Sequence, residues 1–126
     1  MSDIQTILVV EDEKPMLELL KETFQNEGLR VLVASDGKAG LKLAKEKHPD
    51  LILLDIVMPE MGGLTMLRQL RQDEWGKDAR VIVLTNLSNN EKVAEAVAEG
   101  AYDYLVKPEC NIDDVVNKVK QRLNIA

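Results

Sequence analysis

Four short apolar runs punctuate the chain: Ile7–Val10, Val31–Ala34, Leu51–Leu54 and Val81–Leu84, each rich in Val, Ile and Leu and without alternating polar positions. Continuous apolar runs of this length are the mark of strands covered on both faces, as in a parallel sheet. A fifth candidate, Tyr102–Val106, is less apolar, as an edge strand would be. The segments between have helical spacing. Met16, Leu20 and Phe24 recur every four residues; Ala39, Leu43 and Lys47 follow Gly37; Leu64, Leu67 and Leu70 recur every three. Val93, Ala94 and Val97 mark a fourth helix, and Ile112, Val115, Val116, Val119 and Leu123 a fifth with the clearest stripe. Gly28, Gly62, Gly63 and Gly100 sit where segments stop or turn.

Strand and helix therefore alternate five times, which predicts βαβ units with right-handed crossovers and helices on both faces of a parallel sheet. Such open doubly wound α/β folds bind ligands beyond the carboxyl ends of their strands, where strand order reverses. Candidate chemistry is thus sought just after each apolar run.

Length and charge narrow the picture. A chain of 126 residues suits one domain, spanning 1–126, with one core. Its 45% apolar and 30% charged residues are the balance of a folded globular protein. A formal net charge of −6 opposes non-specific binding to nucleic acid or anionic membrane. The N-terminus MSDIQT has neither the basic flank nor the apolar stretch of a signal peptide, so the expected location is cytoplasmic. Cys110 is the single cysteine, which leaves no internal disulfide and makes a spectator thiol the expectation. His48, alone before Pro49 at a helix end, reads as structural, because one His without partners makes a poor ligand set.

The positions after the strands are Glu11 and Asp12, then Asp55, Thr85 and Lys107. Singly, each has an ordinary reading: an acid after a strand often caps the next helix, and Thr or Lys on a loop is usually solvated. Together they place three acids, a hydroxyl and an amine on one rim. Carboxylates about 5 Å apart repel by roughly 3 kcal/mol per pair at an effective dielectric near 20, so the group calls for a counter-charge. All-oxygen, carboxylate-rich sites suit hard cations, and Mg²⁺ is favoured over Ca²⁺ because no DxDxDG loop supplies the extra ligands calcium takes. With a metal present, an aspartate can be a nucleophile towards phosphorus. Asp55 has that position, Glu11 and Asp12 that of metal-binding acids, and Lys107 and Thr85 that of partners for phosphoryl oxygens.

The blocks ILVVEDE, PDLILLDIVMPEMGG, VIVLTN and GAYDYLVKP, in this order and spacing, resemble the response regulator receiver family over about Thr6 to Leu123. The resemblance implies a flavodoxin-like sheet of five parallel strands in the order 2-1-3-4-5 with five helices. It implies phosphorylation of Asp55, with Asp12 a direct Mg²⁺ ligand, Glu11 acting through metal-bound water and the Val57 backbone carbonyl a further ligand. Lys107 would pair with the phosphoryl group and precede a cis bond to Pro108, while Thr85 and Tyr104 would be the switch pair. Val57 and Leu87 would border the path of attacking water; neither side chain can hydrogen-bond, which implies slow hydrolysis. Asn86 stands where the family usually has Ala or Gly and would narrow access to Asp55.

Two other classes fit less well. A haloacid dehalogenase-type phosphatase needs a second aspartate two residues after the nucleophile, where this chain has Val57. A flavodoxin-like FMN carrier needs Ser, Thr and Gly donors in the first loop, where Glu11 and Asp12 would repel phosphate. The expected protein is therefore not an enzyme beyond promoting its own phosphorylation and dephosphorylation. Its expected partners are a sensor histidine kinase or histidine phosphotransfer protein and a downstream protein bound through the fourth helix, fifth strand and fifth helix. Nucleic acid and membrane are not expected partners, and the expected state is a monomer or a weak phosphorylation-dependent dimer. Only 18 residues follow Pro108, which points to signalling through protein contacts. The runner-up role is a phosphorelay intermediate that hands its phosphoryl group to a histidine phosphotransfer protein.

Overall fold

A computed structural model describes residues 4–55, 62–85, 98, 103–106 and 112–124, with backbone alone at 85 and 103–106. Strands β1 (Thr6–Val10), β2 (Arg30–Ala34), β3 (Leu51–Asp55), β4 (Val81–Thr85) and β5 (Asp103–Val106) form one sheet in the order β2-β1-β3-β4-β5. Every neighbouring pair is parallel. Helices α1 (Lys14–Asn26), α2 (Gly37–Lys47), α3 (Gly63–Arg71) and α4 (Ile112–Leu123) alternate with the strands, α4 being the last of the five helices the sequence predicts. The expected helix around Val93–Val97, and Tyr102 at the start of the fifth strand, lie outside the described residues.

The single core expected from chain length is corrected: the strands are apolar throughout because the sheet divides the interior into two cores, one on each face. Leu8, Val10, Ile52, Leu54, Val81 and Val83 face α2 and α3, packing with Leu41, Ala44, Leu64, Met66, Leu67 and Leu70. Their neighbours Ile7, Val9, Leu51, Leu53, Ile82 and Leu84 face α1 and α4, packing with Leu17, Leu20, Phe24 and Val119. Alternation along each strand thus sends successive side chains to opposite cores, not to core and solvent. In β2 the run Val31–Val33 is only partly buried, against the expectation of two covered faces, because β2 is an edge of the sheet.

Helix registers follow their buried stripes. In α3 the predicted Leu64, Leu67 and Leu70 are all buried. In α1 the stripe is Leu17, Leu20 and Phe24, with Met16 at its margin. The predicted α2 stripe is corrected: Gly37, Gly40, Leu41 and Ala44 face the sheet, while Ala39 and Lys47 are exposed. Small residues set this register. A Cβ at Gly40 would come within 2.8 Å of Val10 Cγ2, so the glycine lets α2 lie close to β1. Asp36 caps α2 by accepting from the Ala39 N–H at 2.8 Å, and His48 ends it in the left-handed conformation at φ 48°.

Between α3 and β4 the chain is tied down by polar contacts. Arg71 Nη1 donates to the carbonyls of Gly76 and Ala79, each at 2.8 Å. Asp73 Oδ2 accepts from the backbone N–H groups of Trp75 and Gly76. The Trp75 indole stacks on the His48 imidazole, ring centres 4.5 Å apart and planes 8° from parallel, which gives His48 the structural role its sequence position suggests.

A Cβ at Gly76 would lie 2.2 Å from the Leu70 carbonyl oxygen, a backbone atom that cannot swing away. Gly76→Ala is therefore expected to destabilise the protein by about 1–3 kcal/mol, the range of an overpacked buried site. Urea unfolding followed by far-UV circular dichroism measures this, with an unchanged slope expected.

Candidate functional site

The carboxyl ends of β1 and β3 meet at the centre of the sheet, since Val10 pairs with Leu54 and the next residues are Glu11 and Asp55. The Glu11 N–H continues the ladder by donating to the Ala34 carbonyl of β2 at 3.0 Å. Both acids are buried, Glu11 with 1% and Asp55 with 4% of its surface exposed. Asp12, next along the chain, stands at the rim. Carboxylate oxygens of Glu11, Asp12 and Asp55 all lie within 4.8 Å of one another. The structure thus brings together the three acids singled out in the sequence.

Burying acids beside one another is costly. At this separation each ionised pair repels by about 3 kcal/mol at an effective dielectric near 20, and by about 1 kcal/mol where water screens fully. Two features reduce the cost. The Glu13 N–H donates to Glu11 Oε2 at 3.3 Å, and the acids sit just before the amino end of α1, whose dipole favours negative charge. Pro15, in the first turn of α1, is a residue whose fixed φ suits a helix start. Asp12 still shows the strain of the arrangement: its pKa is raised from the ordinary carboxylate value. Partial burial is the main cause, followed by hydrogen bonding with Glu11 and repulsion from Glu11 and Glu13. Glu13 is a contributor that the strand-end argument passed over, though it is visible as the third acid of the run Glu11–Asp12–Glu13.

Carboxylate oxygens converging within 4.8 Å, two of the three groups buried, suit a hard divalent cation that takes oxygen ligands and retains water. The donor set contains no sulfur or imidazole that would favour a softer metal. Thr85 ends β4, beside Val106 of β5. Val57, Asn86, Leu87, Lys107 and Pro108, together with the side chains of Thr85 and Tyr104, lie outside the described residues.

The comparisons with known proteins agree with this geometry. The sequence pattern of the response regulator receiver domain matches residues 7–120. Regulatory protein AtoC of Escherichia coli is 36% identical over 97% of this chain, which spans 26% of AtoC. Chemotaxis protein CheY of Bacillus subtilis is 34% identical over 94% of this chain and 97% of CheY. Other relatives are named as DNA-binding regulators, and the chain spans about half of each. Among solved structures, the receiver domain of sensor histidine kinase PA1611 from Pseudomonas aeruginosa is 25% identical with a TM-score of 0.86. That match covers 97% of this chain and 99% of PA1611's, and that structure has a magnesium ion coordinated in its active-site cleft. Among the described residues, no helix is long and apolar enough to cross a membrane.

The raised pKa of Asp12 fixes a sign for pH dependence. From 3.8 up to its raised folded value the native state holds more protons than the unfolded one, so this group's contribution to stability falls as pH rises through that window. At neutral pH the metal-free Asp12→Asn protein is therefore expected to be more stable than the wild type, with a higher melting temperature. Thermal melts of both proteins in chelator, at pH 4 and pH 7, check this; a gain at pH 7 that shrinks at pH 4 is the expected result.

Proposed function

Because the chain belongs to the response regulator receiver family of two-component signalling, we propose that it takes a phosphoryl group onto Asp55 in a Mg²⁺-dependent reaction and changes its protein contacts in response. The observation that carries the proposal is the buried Asp55 at the end of the central strand β3, within 4.8 Å of Glu11 and Asp12. An acid whose only task was to cap or solvate would not be buried beside two others.

In this reading Asp12 and Asp55 would hold the ion directly, Glu11 would act through water, and the Val57 carbonyl would be a further ligand. When bound, Mg²⁺ supplies positive charge that offsets the acids and the oxygens of the incoming phosphoryl group. An Asp55 oxygen forms the new P–O bond while the P–N bond of a donor phosphohistidine breaks, and the electron pair stays on the donor imidazole. Burial of Asp55 between the strand ends holds its carboxylate in one orientation, which lowers the entropic cost of in-line attack. Lys107 pairs with a phosphoryl oxygen and Thr85 donates a hydrogen bond to another, with Tyr104 following the movement of Thr85. The donor is a sensor histidine kinase or histidine phosphotransfer protein, and the output is a changed protein-binding face. Apolar Val57 and Leu87 leave attacking water unpositioned, so the phosphoprotein is long-lived.

Incubation with acetyl phosphate and Mg²⁺ is expected to add the mass of one phosphoryl group. Asp55→Asn should abolish the addition, because an amide cannot form the acyl phosphate, and Lys107→Ala should slow it by roughly tenfold or more. Intact-protein mass spectrometry reads both. Undiminished labelling of the Asp55→Asn protein would overturn the assignment.

A further inference from the structure

A second concave site lies at the other end of the sheet. The residues just before β1, β3 and β4 line, with the segment after α3, an open, solvent-facing concavity of about 800 Å³. Five-residue strands separate it from the acidic cluster by about 16 Å of sheet. Its openness suits a side chain reaching in from a partner's surface and not a small molecule, which needs an enclosed and mainly apolar cleft.

Its walls combine apolar and acidic groups. Pro49 is buried in the wall, Trp75 adds an indole, and Ile4, 61% exposed, stands at the lip. Asp50, Glu74 and Asp78 are exposed carboxylates lining the same space. Arg80 is the one cation among the lining residues, and it is directed elsewhere: its Nη1 donates at 2.9 Å to the Arg122 carbonyl, in the last turn of α4. A helix carboxyl end partly offsets a guanidinium charge, so the cavity presents net negative potential. The Glu74 partner Lys77 lies outside the lining, and their 3.3 Å contact is solvent-exposed and easily exchanged.

The cavity is also built before anything enters it. The Thr6 N–H holds Asp50 Oδ2 at 2.7 Å. The Arg71 and Asp73 contacts fix the segment carrying Trp75 and Asp78, and His48 holds the indole by stacking. Walls ordered in advance spare a ligand the cost of ordering them. An indole set among three carboxylates, in a lining more polar than apolar, is complementary to a side chain with a hydrocarbon stem and a cationic head.

We propose that this cavity binds an arginine or lysine side chain presented by a partner protein, its stem against Trp75 and Pro49 and its head among Asp50, Glu74 and Asp78. The partner is thus a protein with an exposed basic residue on a protruding segment. The site is separate from the phosphoryl chemistry and does not depend on it.

The probe is acetyl-glycyl-arginyl-glycinamide, with its citrulline and glutamate counterparts, added in excess Mg²⁺ so that the acids at the opposite end are not the target. Trp75, the single tryptophan, reports by fluorescence, and amide shifts in ¹H–¹⁵N NMR spectra locate the contact. The arginine peptide is expected to change the emission and to shift amides clustered at 74–80. Glu74→Gln and Asp78→Asn, both at exposed positions that leave the fold intact, should each weaken binding about twofold to fivefold. Glu18→Gln, an exposed acid on α1, should leave it unchanged. Equal binding of the citrulline or glutamate peptide, shifts scattered over acids elsewhere, or no response of Trp75 at millimolar peptide would each overturn the proposal.

Discussion

Repulsion among three carboxylates confined within 4.8 Å is the constraint around which the carboxyl end of this sheet is arranged. Nothing in the local sequence Glu11–Asp12–Glu13 favours holding these groups beside Asp55; the pairing of β1 with β3 does it. The β1–β3 and β3–β4 ladders and the two apolar cores supply the free energy that keeps the acids together. The α1 amino end and the Glu13 N–H lower the cost without removing it, as the raised pKa of Asp12 records. A protein stable enough to hold its acids this way has a site ready for a cation and for an anion that the cation accompanies.

Much of this was legible in the sequence because the controlling signals are local and periodic. Runs such as Leu51–Leu54, short and rich in branched apolar residues, read as strands covered on both faces, and their alternation with helical segments leaves few topologies once crossovers are right-handed. Glu11, Asp12 and Asp55 followed as residues at strand ends, and their convergence needed only the adjacency of β1 and β3. The α2 stripe was misjudged because Gly40 and Ala44, small and weakly hydrophobic, carry the contact, and close approach of two backbones leaves no large residue to mark it. The partial exposure of β2 was missed because an edge strand and a central one can carry the same four apolar residues.

The cavity at the amino ends of the strands had no counterpart in the sequence reading. Its walls come from residues 4–5, 49–50, 74–75 and 78–80, none of which forms a motif, and strand amino ends are not where this architecture ordinarily places ligands. The stack of His48 on Trp75 joins residues 27 positions apart and fixes one wall. Only tertiary structure could show it, because neither residue's neighbours in sequence hint at the other.

The division of the interior by the sheet has a thermodynamic corollary. Side chains that face α2 and α3 do not share a core with those that face α1 and α4; Met66 and Phe24 are separated by a full layer of strands. Substitutions on opposite sides should combine with little coupling energy, whereas pairs within one side, such as Leu67 with Leu70, should not be additive. One half of the molecule can thus be recomposed while the other stays fixed, and the shared backbone of the strands is the main physical link through which a change on one side reaches the other.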